Sequence, residues 1–369
     1  MLKQLLSIVI VVILGITGFV IVRLAGTFPL LTGVENIFLI FSDNIAALAI
    51  SFIWLFIGIV LHELGHLIFG FATGYKFLSF RIGPLVWFKE DSQIKFSVSS
   101  SIVAGQCLML PVKDLVHFKY ILYNLGGIIL NFSICVILAF LLLADINMGV
   151  AFLYIGILVN FLLGLLSLVP VKNLTNDAVN VLETRKSKDA VRGFHLMLHI
   201  NAELAEGKRY RDFSHDLFKL DSNADLNNFM TAYILLLEAS RLEDLGEYEE
   251  SFKILHKIDM YKLPNIYRYM IKLDIMYHYI LYNPDFEKAA KIFENKDIQK
   301  ILSTKHPGFM RISAAYEALV NKNFKKGEAL LEKAKKIANK LPNKGQRLME
   351  TEYLYTLGAL IHEEQHNQR

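Results

Sequence analysis

Hydropathy divides the chain into two unlike parts. Residues 1–171 carry nearly all the long apolar runs, whereas residues 181–369 are rich in Lys, Glu, Asp, Asn and Tyr. A helix needs roughly 20 predominantly apolar residues to cross a bilayer. Four segments qualify, at about 5–23, 45–73, 120–143 and 148–171, and none lies beyond residue 181. The first lacks a convincing small-residue cleavage site and reads as a retained anchor, with a cleaved signal as the alternative. Within 76–106 the pattern changes. Phe77, Ser79 and Arg81, then Ile94, Phe96 and Val98, alternate about a turn at Glu90-Asp91-Ser92. This predicts a small membrane-associated β-hairpin. The expected fold is mainly α: a membrane helix bundle of about four spans with a β-hairpin, followed by a soluble helical region.

The polar part carries a repeat. Tyr210, Tyr248, Phe286 and Phe324 follow one another at intervals of 38 residues, and an apolar residue stands seven positions after each: Leu217, Leu255, Phe293 and Leu331. Turn-forming residues precede them, as in Gly246-Glu247, Asn283-Pro284-Asp285 and Asn321-Lys322-Asn323. The spacing predicts helix pairs whose second member starts at the aromatic. It resembles a degenerate tetratricopeptide-like solenoid with a slightly long period. Stacked helix pairs make concave surfaces suited to a protein or peptide partner. The expected division is therefore a membrane domain over 1–180 and a helical-repeat domain over 181–369. The basic stretch 322–340 reads as a solvated face.

Loop charge sets the expected orientation. Residues 24–44 and 144–147 hold Glu35, Asp43 and Asp145 but no Lys or Arg. The 74–119 loop holds Lys76, Arg81, Lys89, Lys95, Lys113 and Lys119, and Lys172 follows the last span. By the positive-inside rule that loop and the whole C-terminal part face the cytoplasm, with Arg23 the one discordant charge. The compact core suits a multi-pass protein of a bacterial cell membrane. Cys107 and Cys135 imply no disulfide framework, and a net charge of +4 is too mild to argue for nucleic acid.

Inside the second span lies His62-Glu63-Leu64-Gly65-His66. Positions i and i+4 share a helix face, so both imidazoles can reach one metal ion. Glu63 then stands beside them as a base for water. A charged side chain at mid-bilayer costs about 2.5–3.5 kcal/mol on insertion scales, so ionisable groups there usually serve function. Catalytic zinc takes three protein ligands as a rule. His62 lies about 25 Å from the outer surface at 1.5 Å per residue, which excludes Asp43 and Asp145 at the outer ends. Asp177, Asp91 and Asp114 remain. Pro170 cannot continue a helix, so the Pro170–Asp177 segment should unwind and can carry a carboxylate back toward the histidines.

Residues 45–180 resemble the site-2 protease family of intramembrane zinc metalloproteases. The likeness rests on His62-Glu63-Leu64-Gly65-His66, on Gly126-Gly127-Ile128-Ile129-Leu130-Asn131, and on Asn160 followed by Ser167-Leu168-Val169-Pro170 and Thr175-Asn176-Asp177-Ala178. Ile128, Ser167 and Ala178 stand where the family usually has Pro, Asn and Gly. The resemblance implies that His62, His66 and Asp177 bind Zn2+ and that Glu63 activates water. It further implies that strands after the zinc-binding helix offer an edge to an unwound substrate. The alternative for those strands is a hairpin that only packs on the bilayer surface.

The expected activity is hydrolysis of membrane-spanning or membrane-anchored polypeptides, with the bilayer and a cytoplasmic protein as further partners. A catalytically inactive zinc-binding scaffold working through its repeats is the alternative, and a zinc transporter is a third reading that lacks an inverted repeat. His362-Glu363-Glu364-Gln365-His366 repeats the metal pattern in a polar segment with no later ligand, and His195 and His199 lack the adjacent Glu. Neither pair is expected to be catalytic.

Overall fold

The computed structural model describes residues 34–98, 104–112, 115–144, 149–171 and 174–367, with side chains from residue 45 onward. The expected anchor at 5–23 lies outside them, as does Asp114. Long apolar stretches produce the first helix, α1 (Val34–Ala72), whose apolar part runs Ile45–Ala72, and then α2 (Tyr120–Leu143) and α3 (Val150–Leu168). Among the described residues these three helices are long and apolar enough to cross a membrane. They pack as a bundle in which α1 and α2 meet through glycine. A Cβ on Gly65 would collide with the Gly126 carbonyl, and one on Gly126 would lie 2.8 Å from the Gly65 carbonyl carbon. Without side chains at this crossing the two backbones approach directly. Trp54 Nε1 donates to the Phe152 carbonyl at 2.8 Å and ties α1 to α3.

Between α1 and α2 the chain forms four antiparallel strands rather than the expected hairpin. These are β1 (Tyr75–Ile82), β2 (Leu85–Glu90), β3 (Gln93–Val98) and β4 (Gly105–Pro111), in the order β3-β2-β1-β4. The predicted turn at Asp91-Ser92 is present and joins β2 to β3; both residues have positive φ, 50° and 63°, as a tight hairpin turn requires. β2 lies between the two segments read as partners, because a second turn at Gly83-Pro84, with Gly83 at φ +54°, folds the chain once more. On the outer strand Ile94, Phe96 and Val98 are exposed, an apolar face consistent with a membrane surface.

Ten further helices follow: α4 (Asp177–Thr184), α5 (Lys188–Ala205), α6 (Phe229–Leu245), α7 (Tyr248–Lys257), α8 (Asn265–Leu281), α9 (Phe286–Phe293), α10 (Lys296–Leu302), α11 (Pro307–Ala315), α12 (Phe324–Ala338) and α13 (Lys344–Asn367). Tyr248, Phe286 and Phe324 each open a helix, as the 38-residue spacing predicts. Tyr210 opens only a 3-10 turn, Tyr210–Asp212. One buried apolar cluster joins the strands to these helices: Tyr75, Cys107, Met109, Phe118 and Tyr123 pack with Phe194, Leu198 and Phe229. Ion pairs reinforce the contact at the β2–β3 turn, where Glu90 binds Arg347 and Asp91 lies 3.6 Å from Lys344.

Candidate metal centre

His62 and His66 project from α1 one turn apart, and their Nε2 atoms lie 3.3 Å from each other. Asp177 joins them: Oδ2 is 3.0 Å from His62 Nε2, and Oδ1 is 3.6 Å from His66 Nε2. Among the described residues this is the one gathering of three or more His, Cys, Asp or Glu donors with metal-ligand spacing. Asp91 is not part of it; it lies at the β2–β3 turn beside Lys95 and Lys344. Among the described residues, neither His362 with His366 nor His195 with His199 belongs to a group of three donors with metal-ligand spacing.

The chain behind Asp177 explains its position. α3 ends at Leu168, before Pro170, and the described residues 169–171 and 174–176 are non-helical. Asn176 is the N-cap of α4: its Oδ1 accepts from the Val179 amide at 2.9 Å. Its Nδ2 donates to the carbonyls of Leu166 and Val169 at 2.9 and 2.8 Å. One side chain thus binds the end of α3 to the start of α4 and fixes Asp177, the first residue of α4, beside the histidines.

Each imidazole is oriented by its other nitrogen. His62 Nδ1 donates to Asn131 Oδ1 at 2.7 Å, and His66 Nδ1 donates to the Tyr123 carbonyl at 2.8 Å. Asn131 is itself held: its Nδ2 donates to the Gly58 carbonyl at 3.1 Å and to Asn160 Oδ1 at 2.9 Å. With both Nδ1 protons so engaged, each imidazole in its neutral form turns an Nε2 lone pair toward the other ring and toward a carboxylate. Two imidazole lone pairs and an anionic oxygen converging without a donor proton among them are an arrangement that a divalent cation satisfies. The separations agree: ligand atoms about 2.0–2.1 Å from a tetrahedral zinc lie about 3.3 Å apart. Gly127 makes room for this. A Cβ there would lie 2.6–2.7 Å from the His62 ring atoms.

Glu63 is buried at 7 % exposure and points toward β4. The Cys107 amide donates to its carboxylate. A Cβ on Gly105 would lie 2.5 Å from Oε1, so glycine is what admits the carboxylate against this strand. Tyr123 supplies more than its carbonyl, since its hydroxyl donates to the Cys107 carbonyl at 2.6 Å. His62, Glu63, His66 and Asp177 all line one cavity of about 440 Å³, closed on other sides by β4, Ser167 and α5. Large cavities that combine apolar walls with a few convergent polar groups are the usual form of a binding site.

Helix, strands and second helix therefore lie in the order read from the sequence, with two histidines facing a carboxylate. Residues 50–149 match Peptidase family M50. No curated protein matches the chain. No solved structure matches it. The Peptidase family M50 stretch contains His62, Glu63, His66, the whole sheet, Tyr123 and Asn131. It supports a metallopeptidase and, with the three apolar helices, a membrane protein. Asn160 and Asp177 lie beyond the matched residues and are brought to the site by the fold.

Several contributors carry no role in the sequence reading, among them the Cys107 amide, the Tyr123 carbonyl and Asn176. The Tyr123 carbonyl has no side-chain signature. Asn176 did offer one: an Asn immediately before a helix start, in the N-cap position.

Proposed function

We propose that the protein is an intramembrane zinc endopeptidase acting on membrane-spanning or membrane-anchored polypeptides. The observation that carries this reading is the convergence of His62 Nε2, His66 Nε2 and the Asp177 carboxylate, in a cavity that also holds Glu63, against an apolar helix bundle. His62, His66 and Asp177 hold the metal; Asn131 and Tyr123 fix the imidazoles from behind. When bound, zinc supplies Lewis acidity toward water and toward a peptide carbonyl. Glu63 takes the proton of the attacking water and returns it to the leaving amine.

A helix hides its carbonyls, so the substrate unwinds locally before it is cut. Strand addition to β4 is restricted in one respect. The Cys107 N–H and C=O are already taken by Glu63 and Tyr123, so an added strand pairs only at neighbouring positions.

In this reading the division at about residue 180 separates a membrane metalloprotease domain from a tetratricopeptide-like helical domain. The three helices that open at Tyr248, Phe286 and Phe324 support the repeat. The positive 74–119 loop supports a cytoplasmic helical domain in a bacterial cell membrane, where it engages a protein partner or delivers substrate.

Asp177→Asn tests the ligand set. Loss of a ligand costs more than loss of a group that orients one, so metal affinity should fall by more than about 100-fold, with cleavage lost in parallel. Metal content and cleavage measured on the same detergent-purified sample check this. Full zinc occupancy in Asp177→Asn would remove Asp177 from the ligand set. Wild type that holds zinc and cuts nothing would favour the inactive scaffold.

A further inference from the structure

Behind β4 lies a second cavity, of about 220 Å³, between the sheet and the helices. Its sheet wall carries Ser79 and Arg81 from β1 and Gln106 from β4, where Arg81 and Gln106 are cross-strand partners. Its opposite wall carries Asn201 from α5, and Asn343 and Gln346 at the start of α13. No Asp or Glu lines it.

Arg81 is the unusual member. Among the described residues its guanidinium makes no ion pair, side-chain hydrogen bond or cation–π contact, although other arginines near this junction are paired: Arg209 with Asp244, Arg311 with Glu350 and Arg347 with Glu90. Burial pushes its guanidinium below its ordinary value, and no carboxylate offsets that cost. A half-buried guanidinium with no protein carboxylate beside it keeps its forked donors available to an anion that enters the cavity. The start of α13 adds positive potential, because Asn343 caps it by accepting from the Gln346 amide at 3.0 Å and the first amides of a long helix favour an anion.

We propose that this cavity binds a phosphate group, held by Arg81 and bridged to the side chains of Gln106 and Gln346. A guanidinium offers forked donors that match phosphate oxygens, and the carboxamides and the Ser79 hydroxyl supply further donors spread in three dimensions rather than in one plane. The volume admits inorganic phosphate or a small phosphomonoester, or a lipid headgroup reaching in from the bilayer surface. Because Gln106 and Leu108 line both this cavity and the metal cavity, the bound group touches the far side of the strand that holds Glu63. It also joins β1 to α5 and α13, and so bridges the strands to the helical region.

The test uses the full chain in detergent, titrated with inorganic phosphate, and in nanodiscs with or without phosphatidic acid. Melting temperature and amide exchange are followed. The same titrations on Asp177→Asn exclude phosphate held at the metal centre. Phosphate from at least one of the two sources should raise the melting temperature. It should also slow exchange in β1, β4 and the first turn of α13, equally in Asp177→Asn. Arg81→Gln should weaken this response at least about tenfold. Without phosphate Arg81→Gln should melt no lower than wild type, since it removes an unpaired charge; a structural arginine would give the opposite. A response to phosphate alone assigns a soluble ligand, and a response only in phosphatidic acid nanodiscs assigns a headgroup. The inference is overturned if neither source gives an Arg81-dependent response.

Discussion

Glu63→Gln should abolish peptide-bond cleavage while leaving the metal in place. The amide is isosteric with the carboxylate, and its oxygen can still accept from the Cys107 amide, so packing against Gly105 is retained. What it cannot do is accept a proton from water. General acid–base catalysis by a positioned side chain is worth about 10²–10⁴-fold, and cleavage should fall by at least that much. His62, His66 and Asp177 are untouched, so zinc stoichiometry should stay at the wild-type value. The check is metal analysis beside a cleavage assay on one preparation. Simultaneous loss of zinc and cleavage would mean that Glu63 acts through the fold. Cleavage at the wild-type rate would remove Glu63 from the chemistry.

The second large effect lies in the helical region, at Arg311. Arg311 on α11 is clasped by Tyr277 and Tyr353, whose ring centroids lie 4.6 and 4.9 Å from its guanidinium carbon, and its Nε donates to Glu350 at 3.1 Å. Glu243 on α6 and Asp274 on α8 surround the same charge, and burial pushes both carboxyls above the usual carboxylate range. Helices α6, α8, α11 and α13 thus share one cation. Arg311→Met removes a charge-assisted hydrogen bond and two cation–π contacts and leaves the carboxylates facing one another. The expected cost is roughly 2–4 kcal/mol. Thermal unfolding of the full chain in detergent, followed by helical circular dichroism, should show the helical transition lowered by several degrees. The pH dependence has a definite sign. Arg311 holds both carboxyls lower than burial alone would, so its loss raises their folded pKa further; raised carboxyls lose stability as pH rises, and the deficit relative to wild type should be larger at pH 8 than at pH 5. A deficit independent of pH would mean that shape, not charge, decides the site.

The elements legible in the sequence were those with long uniform signals. The segments read as 45–73, 120–143 and 148–171 appear as Ile45–Ala72, Tyr120–Leu143 and Val150–Leu168. Apolar runs of that length admit few other structures, and Pro170 marks where the last one stops. The two histidines were legible because a single helix brings them together. Asp177 was one of three carboxylates that depth allowed, and the family resemblance singled it out. Its approach to the histidines depends on Asn176 binding two carbonyls of α3, a contact no local pattern encodes. β4 escapes a sequence reading because Cys107-Leu108-Met109-Leu110 is apolar throughout, with no polar–apolar alternation, although burial does alternate there at Cys107, Met109 and Pro111. β2 was missed because the Gly83-Pro84 turn was not used to divide the segment. The Arg311 cluster was invisible for a different reason, since its members come from four helices that only stacking brings together.

One measurement decides the central claim. Wild-type protein, stripped of metal by a chelator and then given zinc in lipid nanodiscs, is offered a single-span substrate carrying helix-destabilising residues, and the products are read by mass spectrometry. The prediction is no cleavage when stripped, recovery at about one zinc per chain, and a cut bond inside the span. Protein that holds zinc yet leaves a panel of such spans intact would contradict the protease reading and move attention to the helical region.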